Sequence, residues 1–171
     1  MSYSEEQIAN MVQPTKVHRN VYTDPEIFNL EMERIWAKSW IYIGHKSQVP
    51  EQGNYVTLNY GGVPVVMVRD NDNVVHVLHN RCGHKGTKLV DKPCGKIPTF
   101  RCCYHGWRYR LDGKLLGVPH MAGYEGTDFN KDDPQYSMQQ LRSESVRGFV
   151  FATMNDDAPD VRTWMGGAAD V

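Results

Sequence analysis

The sequence lacks an excess of charge of either sign: 19 lysines and arginines stand against 20 aspartates and glutamates, a formal net charge of -1. A polyanion binder carries clustered basic residues and a high pI, so nucleic acid is not an expected partner. Long apolar runs are also missing. No stretch of about 18 apolar residues occurs, and the opening MSYSEEQIANMVQ has neither a basic leader nor an apolar segment behind it. The expectation is a cytoplasmic protein with no membrane partner. Cysteine is scarce, with four residues at 82, 94, 102 and 103. A chain of 171 residues with a normal apolar content builds its core without disulfide staples, so a secreted, disulfide-bonded scaffold is excluded. Internal repeats and low-complexity tracts are absent as well.

What is present divides into four stretches. Residues 1–22 are polar and aperiodic and read as an N-terminal arm. Residues 23–39, within TDPEIFNLEMERIWAKSW, read as a helix: Thr23 with Glu26 makes a capping-box pattern and Pro25 suits a first turn. Phe28, Met32, Ile35 and Trp36 recur at helical spacing, so these side chains are expected in the core. From 40 to 155 the texture changes to short alternating or β-branched runs such as WIYIGH, NYVTLNY, VPVVMVRD and GFVFATM. Gly61-Gly62, Asp70 to Asn73 and Asp112-Gly113 break these runs with hairpin-turn chemistry. The fold class is therefore mainly β, one antiparallel domain preceded by one α-helix. Residues 156–171 read as a linker.

Two clusters interrupt the β texture, NRCGHKG at 80–86 and RCCYHGW at 101–107, each expected on a loop between strands. Together they spell Cys82-x-His84, seventeen residues, then Cys102-x-x-His105. Structural zinc sites usually pair like ligands at short spacing, as C-x(2-4)-C with H-x(3-5)-H. Here each loop offers one thiol and one imidazole. That mixture suits a two-iron, two-sulfide centre in which two thiolates hold one iron and two imidazoles the other. Neutral imidazoles in place of anionic thiolates destabilise the reduced state less, raising the potential to about -150 to +300 mV. Spacing alone leaves the second thiol open, because Cys103-Tyr-His105 repeats the C-x-H of the first loop.

Cys82-Gly-His84 and Cys102-Cys-Tyr-His105-Gly-Trp resemble the Rieske motif. With VYTDPEIFNLEMERIWAKSWIYIGH, YHGWRYRLDGKL and GVPHMAGYEGTDF, the chain from about Val21 to about Pro159 resembles the N-terminal Rieske domain of the alpha subunit of aromatic-ring-hydroxylating oxygenases. The resemblance implies an iron-sulfur-protein-like β-sandwich with cluster-binding loops over residues 40–155. It implies Cys82, His84, Cys102 and His105 as the ligands of a 2Fe-2S cluster, and it favours Cys102 over Cys103, which stands where the family usually has proline. Respiratory Rieske proteins carry a disulfide at positions matching Thr87 and Tyr104, and neither is cysteine here. The family takes electrons from a ferredoxin or flavin-dependent reductase and passes them to a mononuclear Fe(II) that activates O2. Other alpha subunits, with or without a small beta subunit, complete the enzyme, and His105 would hydrogen-bond an acidic residue of a neighbouring alpha subunit.

The catalytic iron of that family is held by two histidines and a carboxylate in a separate catalytic domain. No such set is read in this chain, whose last histidine is His120, so no catalytic residue is assigned. Cys94 and Cys103 read as buried thiols, and His76 and His79 as structural histidines on opposite faces of a strand. Gly83, Gly86 and Gly106 serve as turns or let backbone N–H groups approach bridging sulfides. Trp107 packs beneath its loop, and Lys85, Lys88, Arg101 and Arg108 place positive charge beside the clusters. A free-standing Rieske ferredoxin and a zinc-stapled β module are the alternatives.

Overall fold

The computed structural model describes residues 3–170. The chain opens with α1 (Glu5–Met11), a small hairpin of β1 (Val12–Gln13) and β2 (Lys16–Val17), then α2 (Asn20–Thr23) and α3 (Pro25–Glu31). The β domain follows. Its central sheet has the order β6-β5-β4-β7, built from β4 (Asn54–Tyr60), β5 (Val63–Arg69), β6 (Val75–His79) and β7 (Cys94–Lys96). A second sheet runs β11-β12-β3, from β3 (Ile41–His45), β11 (Arg142–Val146) and β12 (Phe149–Thr153). A third, small sheet runs β10-β9-β8, from β8 (Phe100–Arg101), β9 (Arg108–Tyr109) and β10 (Leu115–Gly117). All pairings between these strands are antiparallel.

The run VPVVMVR explains how three sheets make one body. Successive side chains of a strand point to opposite faces, and in β5 both faces are buried. Val65 and Met67 enter a core with Ile43, Val150 and Ala152 of the second sheet. Val66 and Val68 enter the other core with Phe100, Tyr109 and Leu115 of the small sheet. β6 divides in the same way, Val77 to the first core and Leu78 to the second. The mainly antiparallel β-sandwich expected from the sequence is therefore present, and the small sheet is fixed to it through packed apolar side chains.

Four readings need correction. Within the N-terminal arm, whose sequence shows no period, Glu5–Met11 is helical: Ser4 caps α1 through Gln7 N–H while the Gln7 side chain accepts from Ser4 N–H. α1 buries none of its residues, which is why low apolar content hid it. Next, the segment 23–39 is not one α-helix capped by Thr23. Asp24 caps α3 by accepting from Glu26 N–H at 2.9 Å, with Pro25 in the first turn, and Thr23 closes α2 instead.

Met32–Trp36 then winds as a π-helix. The wider turn takes Ile35 off the 3.6-residue stripe, and the expected core face is not buried: Phe28, ahead of it in α3, is 56% and Ile35 53% exposed, and only Ile27 of α3 is buried. Polar ties hold this segment, with the Tyr60 hydroxyl placed to donate to Trp36 O at 3.0 Å or to Ser39 O at 3.3 Å.

The stretch read as a linker is docked. Ala158 and Val161 pack with Trp40 and Val146, Trp40 Nε1 donates to Pro159 O at 2.8 Å, and Glu144 accepts from Val161 N–H at 3.0 Å at the start of α4 (Val161–Met165). Finally, Cys94 and Cys103 are exposed, not buried. Cys94 lies on the edge strand β7, all of whose residues are exposed, and Cys103 faces outward next to a buried Cys102.

Candidate metal centre

The two sequence clusters form two loops of the same design. The first leaves β6, and the second joins β8 to β9. In the first, Gly86 N–H donates to Cys82 O at 2.9 Å and Cys82 N–H to Thr87 O at 2.8 Å. In the second, Gly106 N–H donates to Cys102 O at 3.1 Å and Cys102 N–H to Trp107 O at 2.8 Å. Gly86 and Gly106 close the turns at φ of 73° and 72°, a left-handed backbone that costs glycine nothing. The correspondence pairs Cys82 with Cys102, and it leaves Cys103 with no counterpart. Spacing had left that choice open; the hydrogen-bond pattern aligns Cys102, not Cys103, with Cys82.

Cys82 and Cys102 are each 2% exposed and interact through their side chains. Burial pushes the Cys82 thiol up. Burial acts the same way on Cys102, but the N–H groups of His105 and Tyr104, with the Cys82 and Thr87 side chains, outweigh it and hold that thiol below its ordinary value. Tyr109, from the small sheet, places its hydroxyl 3.0 Å from Cys82 Sγ and accepts from Gly83 N–H at 2.9 Å, leaving its proton for the sulfur. Burial, with that sulfur beside it, pushes the phenol far above its ordinary value.

The imidazoles form the other pair. His84 and His105 stand edge to face with centroids 4.7 Å apart, and His84 stacks flat on the buried Trp107, also at 4.7 Å. Trp107 is braced in turn by Phe129 and Tyr136 from the long segment between β10 and β11. His84 Nδ1 is buried with no hydrogen-bond partner. Burial, followed by the nearby His105 and Lys85, holds this imidazole below its ordinary pKa and so in the neutral form that ligates metals. His105 is only half-buried and lies against the exposed Tyr104.

These donors fit a two-iron cluster better than a single ion. An orphaned buried nitrogen costs free energy unless a partner is supplied, and a metal is such a partner. Among the described residues, no group of three or more His, Cys, Asp or Glu side chains closes on one ion position. A tetrahedral zinc needs four convergent ligands, whereas each iron of a mixed-ligand cluster takes two from the protein, sulfides completing the shell. A thiol pair and an imidazole pair, drawn crosswise from two like loops, match that division.

The sequence-matched residue set is thus brought together, while the other histidines are not. His79 and His84 happen to have the H-x4-H spacing, yet His79 ends β6 and His84 belongs to the imidazole pair, with no carboxylate to complete a facial set. His76 Nε2 donates to Asp70 Oδ2 at 2.8 Å and its Nδ1 accepts from the Gln140 side-chain amide at 3.3 Å, a structural role as read. Tyr109 was legible only as a strand residue. Its role appears once the register sets it opposite Phe100, both fully buried, beneath the first loop.

Comparison with known proteins settles the family. The Rieske [2Fe-2S] domain model matches residues 39–139. The chain belongs to the Rieske [2Fe-2S] family. The alpha subunit of biphenyl dioxygenase from Paraburkholderia xenovorans is 34% identical over 173 residues, covering 98% of this chain and 38% of that protein. Benzene 1,2-dioxygenase subunit alpha of Pseudomonas putida is 36% identical over 156 residues, covering 90% and 33%. Among solved structures, a naphthalene 1,2-dioxygenase superposes with a TM-score of 0.86 at 31% identity, over 99% of this chain and 37% of that one. A quaternary ammonium Rieske monooxygenase gives 0.79 at 33% identity, over 89% and 41%. The chain therefore spans between about a third and two fifths of these relatives, and it corresponds to their Rieske part.

Proposed function

We propose that this chain is the electron-entry domain of an aromatic-ring-hydroxylating dioxygenase alpha subunit, with Cys82 and Cys102 on one iron and His84 and His105 on the other. The observation that carries the reading is the pair of matched loops presenting two buried thiols and two facing imidazoles, with His84 Nδ1 unpartnered. When bound, the 2Fe-2S cluster supplies one-electron chemistry at a raised potential. The chain's own residues do the rest. Tyr109 and the backbone N–H groups stabilise sulfur charge, Trp107 excludes water from His84, and half-exposed His105 gives an electron a route outward.

Curated relatives named as alpha subunits of biphenyl, benzene and toluate dioxygenases support the oxygenase reading over a free-standing ferredoxin. A ferredoxin or flavin-dependent reductase would deliver electrons. A catalytic domain carrying mononuclear Fe(II) would receive them, within an assembly of alpha subunits with or without beta subunits. No helix among the described residues is long and apolar enough to cross a membrane, which accords with a cytoplasmic location. Iron, sulfide and visible absorption of the purified chain test the proposal. About two irons and two acid-labile sulfides per chain are expected; a colourless protein holding zinc without sulfide would end it.

A further inference from the structure

Asn80 is fully buried, one of few polar side chains that the core encloses. Burying an amide costs free energy unless it is hydrogen-bonded, and this one is engaged at both ends. Its Oδ1 accepts from Leu89 N–H at 3.2 Å and from Val90 N–H at 3.0 Å, while its Nδ2 donates to Val90 O at 2.7 Å. Its backbone N–H donates to Pro64 O of β5 at 2.9 Å. One residue therefore joins the central sheet to the far end of the first cluster loop, 10 positions along the chain.

The two loops are closed at their bases by different means. The second is the tip of a hairpin, with Phe100 paired to Tyr109 and Arg101 to Arg108 beneath it. The first has no such ladder. β6 enters it and β7 follows it, and these strands lie at opposite edges of the central sheet, in the order β6-β5-β4-β7. Strand pairing cannot join them across the base, yet Leu89 and Val90 pack against the first core, where their backbone groups need partners. The Asn80 amide supplies these for both N–H groups and for the Val90 carbonyl. An amide suits the place because, without charge, its oxygen takes two N–H groups and its nitrogen gives one back. Inside this outer closure lie the bonds of the loop itself, Cys82 N–H to Thr87 O and Gly86 N–H to Cys82 O, with His84 between them.

We propose that Asn80 is a positioning residue of the cluster site: it closes the first loop as strand pairing closes the second, and so holds Cys82 and His84 in ligating geometry before the cluster arrives. The proposal rests on the electron-entry reading for what the loop holds, and it adds the residue that shapes the loop. A loop already ordered gives up less conformational freedom when metal binds. Asn80 thus governs retention of the cluster and the uniformity of its geometry, and it acts on one loop only.

Hydrogen–deuterium exchange of the full chain with its cluster, read by mass spectrometry over residues 81–90 and 101–109, tests this. In the wild type the Leu89 and Val90 amides should be protected; free exchange there would overturn the proposal without any variant. Asn80→Ala should speed exchange over 81–90 about 10- to 100-fold while leaving 101–109 within about 2-fold. Val150→Ala, which opens a cavity in the core away from both loops, serves as the control for lost global stability and should not separate the two segments. Asn80→Ala should also lose iron to a chelator about 10-fold faster than Val150→Ala, and its reduced-state electron paramagnetic resonance lines should be broader. Should Asn80→Ala fail to fold, Asn80→Ser, with one short acceptor, is read in the same comparison. Equal acceleration of both segments, or iron loss no faster than in Val150→Ala, would reduce Asn80 to a contributor to global stability and overturn its role while the cluster reading stands. A wild-type chain without a Rieske spectrum would overturn the cluster reading instead.

Discussion

The two cluster loops share a backbone and differ in what surrounds them. Cys82 and Cys102 accept from Gly86 and Gly106, and both donate to the carbonyl one residue further on. Around the first loop, His84 is pressed on Trp107, Tyr109 reaches Cys82, and Gly83 lies so close to Tyr136 O and Ser137 O that an added Cβ would stand 2.5 Å and 2.9 Å from them. Around the second, Cys103 and Tyr104 are exposed and His105 is half-buried. One fold element has been used twice, once sealed and once open. On the proposed function, the sealed loop would anchor and tune the cluster, and the open loop would face whatever exchanges electrons with it.

The sharpest way to break the pairing of the loops is to move the ligand. Cys102→Ser should abolish the visible absorption of the cluster, as Cys82→Ser should, while Cys103→Ser leaves it intact. Loss on Cys103→Ser with retention on Cys102→Ser would shift the correspondence by one residue and undo the hydrogen-bond argument.

A smaller effect separates the two closing glycines. Both need a left-handed backbone, which costs an L-residue about 1–2 kcal/mol. At Gly106 a Cβ would also meet the Pro119 ring at 2.9 Å, whereas at Gly86 it meets the movable end of Arg81 at 3.2 Å. Gly106→Ala should therefore destabilise the chain by about 1 kcal/mol more than Gly86→Ala in denaturant unfolding. Equal losses would mean that Pro119 yields and the second loop is less confined than its contacts indicate.

The smallest expected change concerns tuning on one side only. Tyr109→Phe removes the hydroxyl beside Cys82 Sγ, and no second tyrosine serves Cys102 in this way. A hydrogen bond to thiolate favours the more negative, reduced cluster, so its loss should lower the potential. A differential of about 1 kcal/mol corresponds to about 40 mV for one electron. Voltammetry of the variant checks both sign and size, and a raised potential would assign the hydroxyl a different role.

Much of this was legible in the sequence because it rests on local regularities. Alternation in VPVVMVRD announces a strand, and the crosswise Cys/His spacing announces a mixed-ligand cluster. Spacing alone did not decide between Cys102 and Cys103, although the family resemblance favoured Cys102, because the loop pattern depends on which carbonyl faces which N–H across a turn. Nor was the burial of either free cysteine legible, since Cys94 owes its exposure to sitting on an edge strand.

Tertiary partners decided the remaining differences. Phe28 and Ile35 have helical spacing yet are exposed, Ile35 within a π turn, and Val161 sits in an unremarkable tail yet packs with Trp40. Tyr109 becomes meaningful only through the β8–β9 register.

The central claim is that each loop supplies one thiolate and one imidazole to a shared two-iron cluster. Pulsed electron paramagnetic resonance on the reduced chain, labelled with 15N at histidine, tests it most directly. Two histidine nitrogens strongly coupled to the unpaired electron are predicted, one of them lost when His84 is replaced by cysteine. No coupled nitrogen in the wild type, or two that both survive the replacement, would contradict the account.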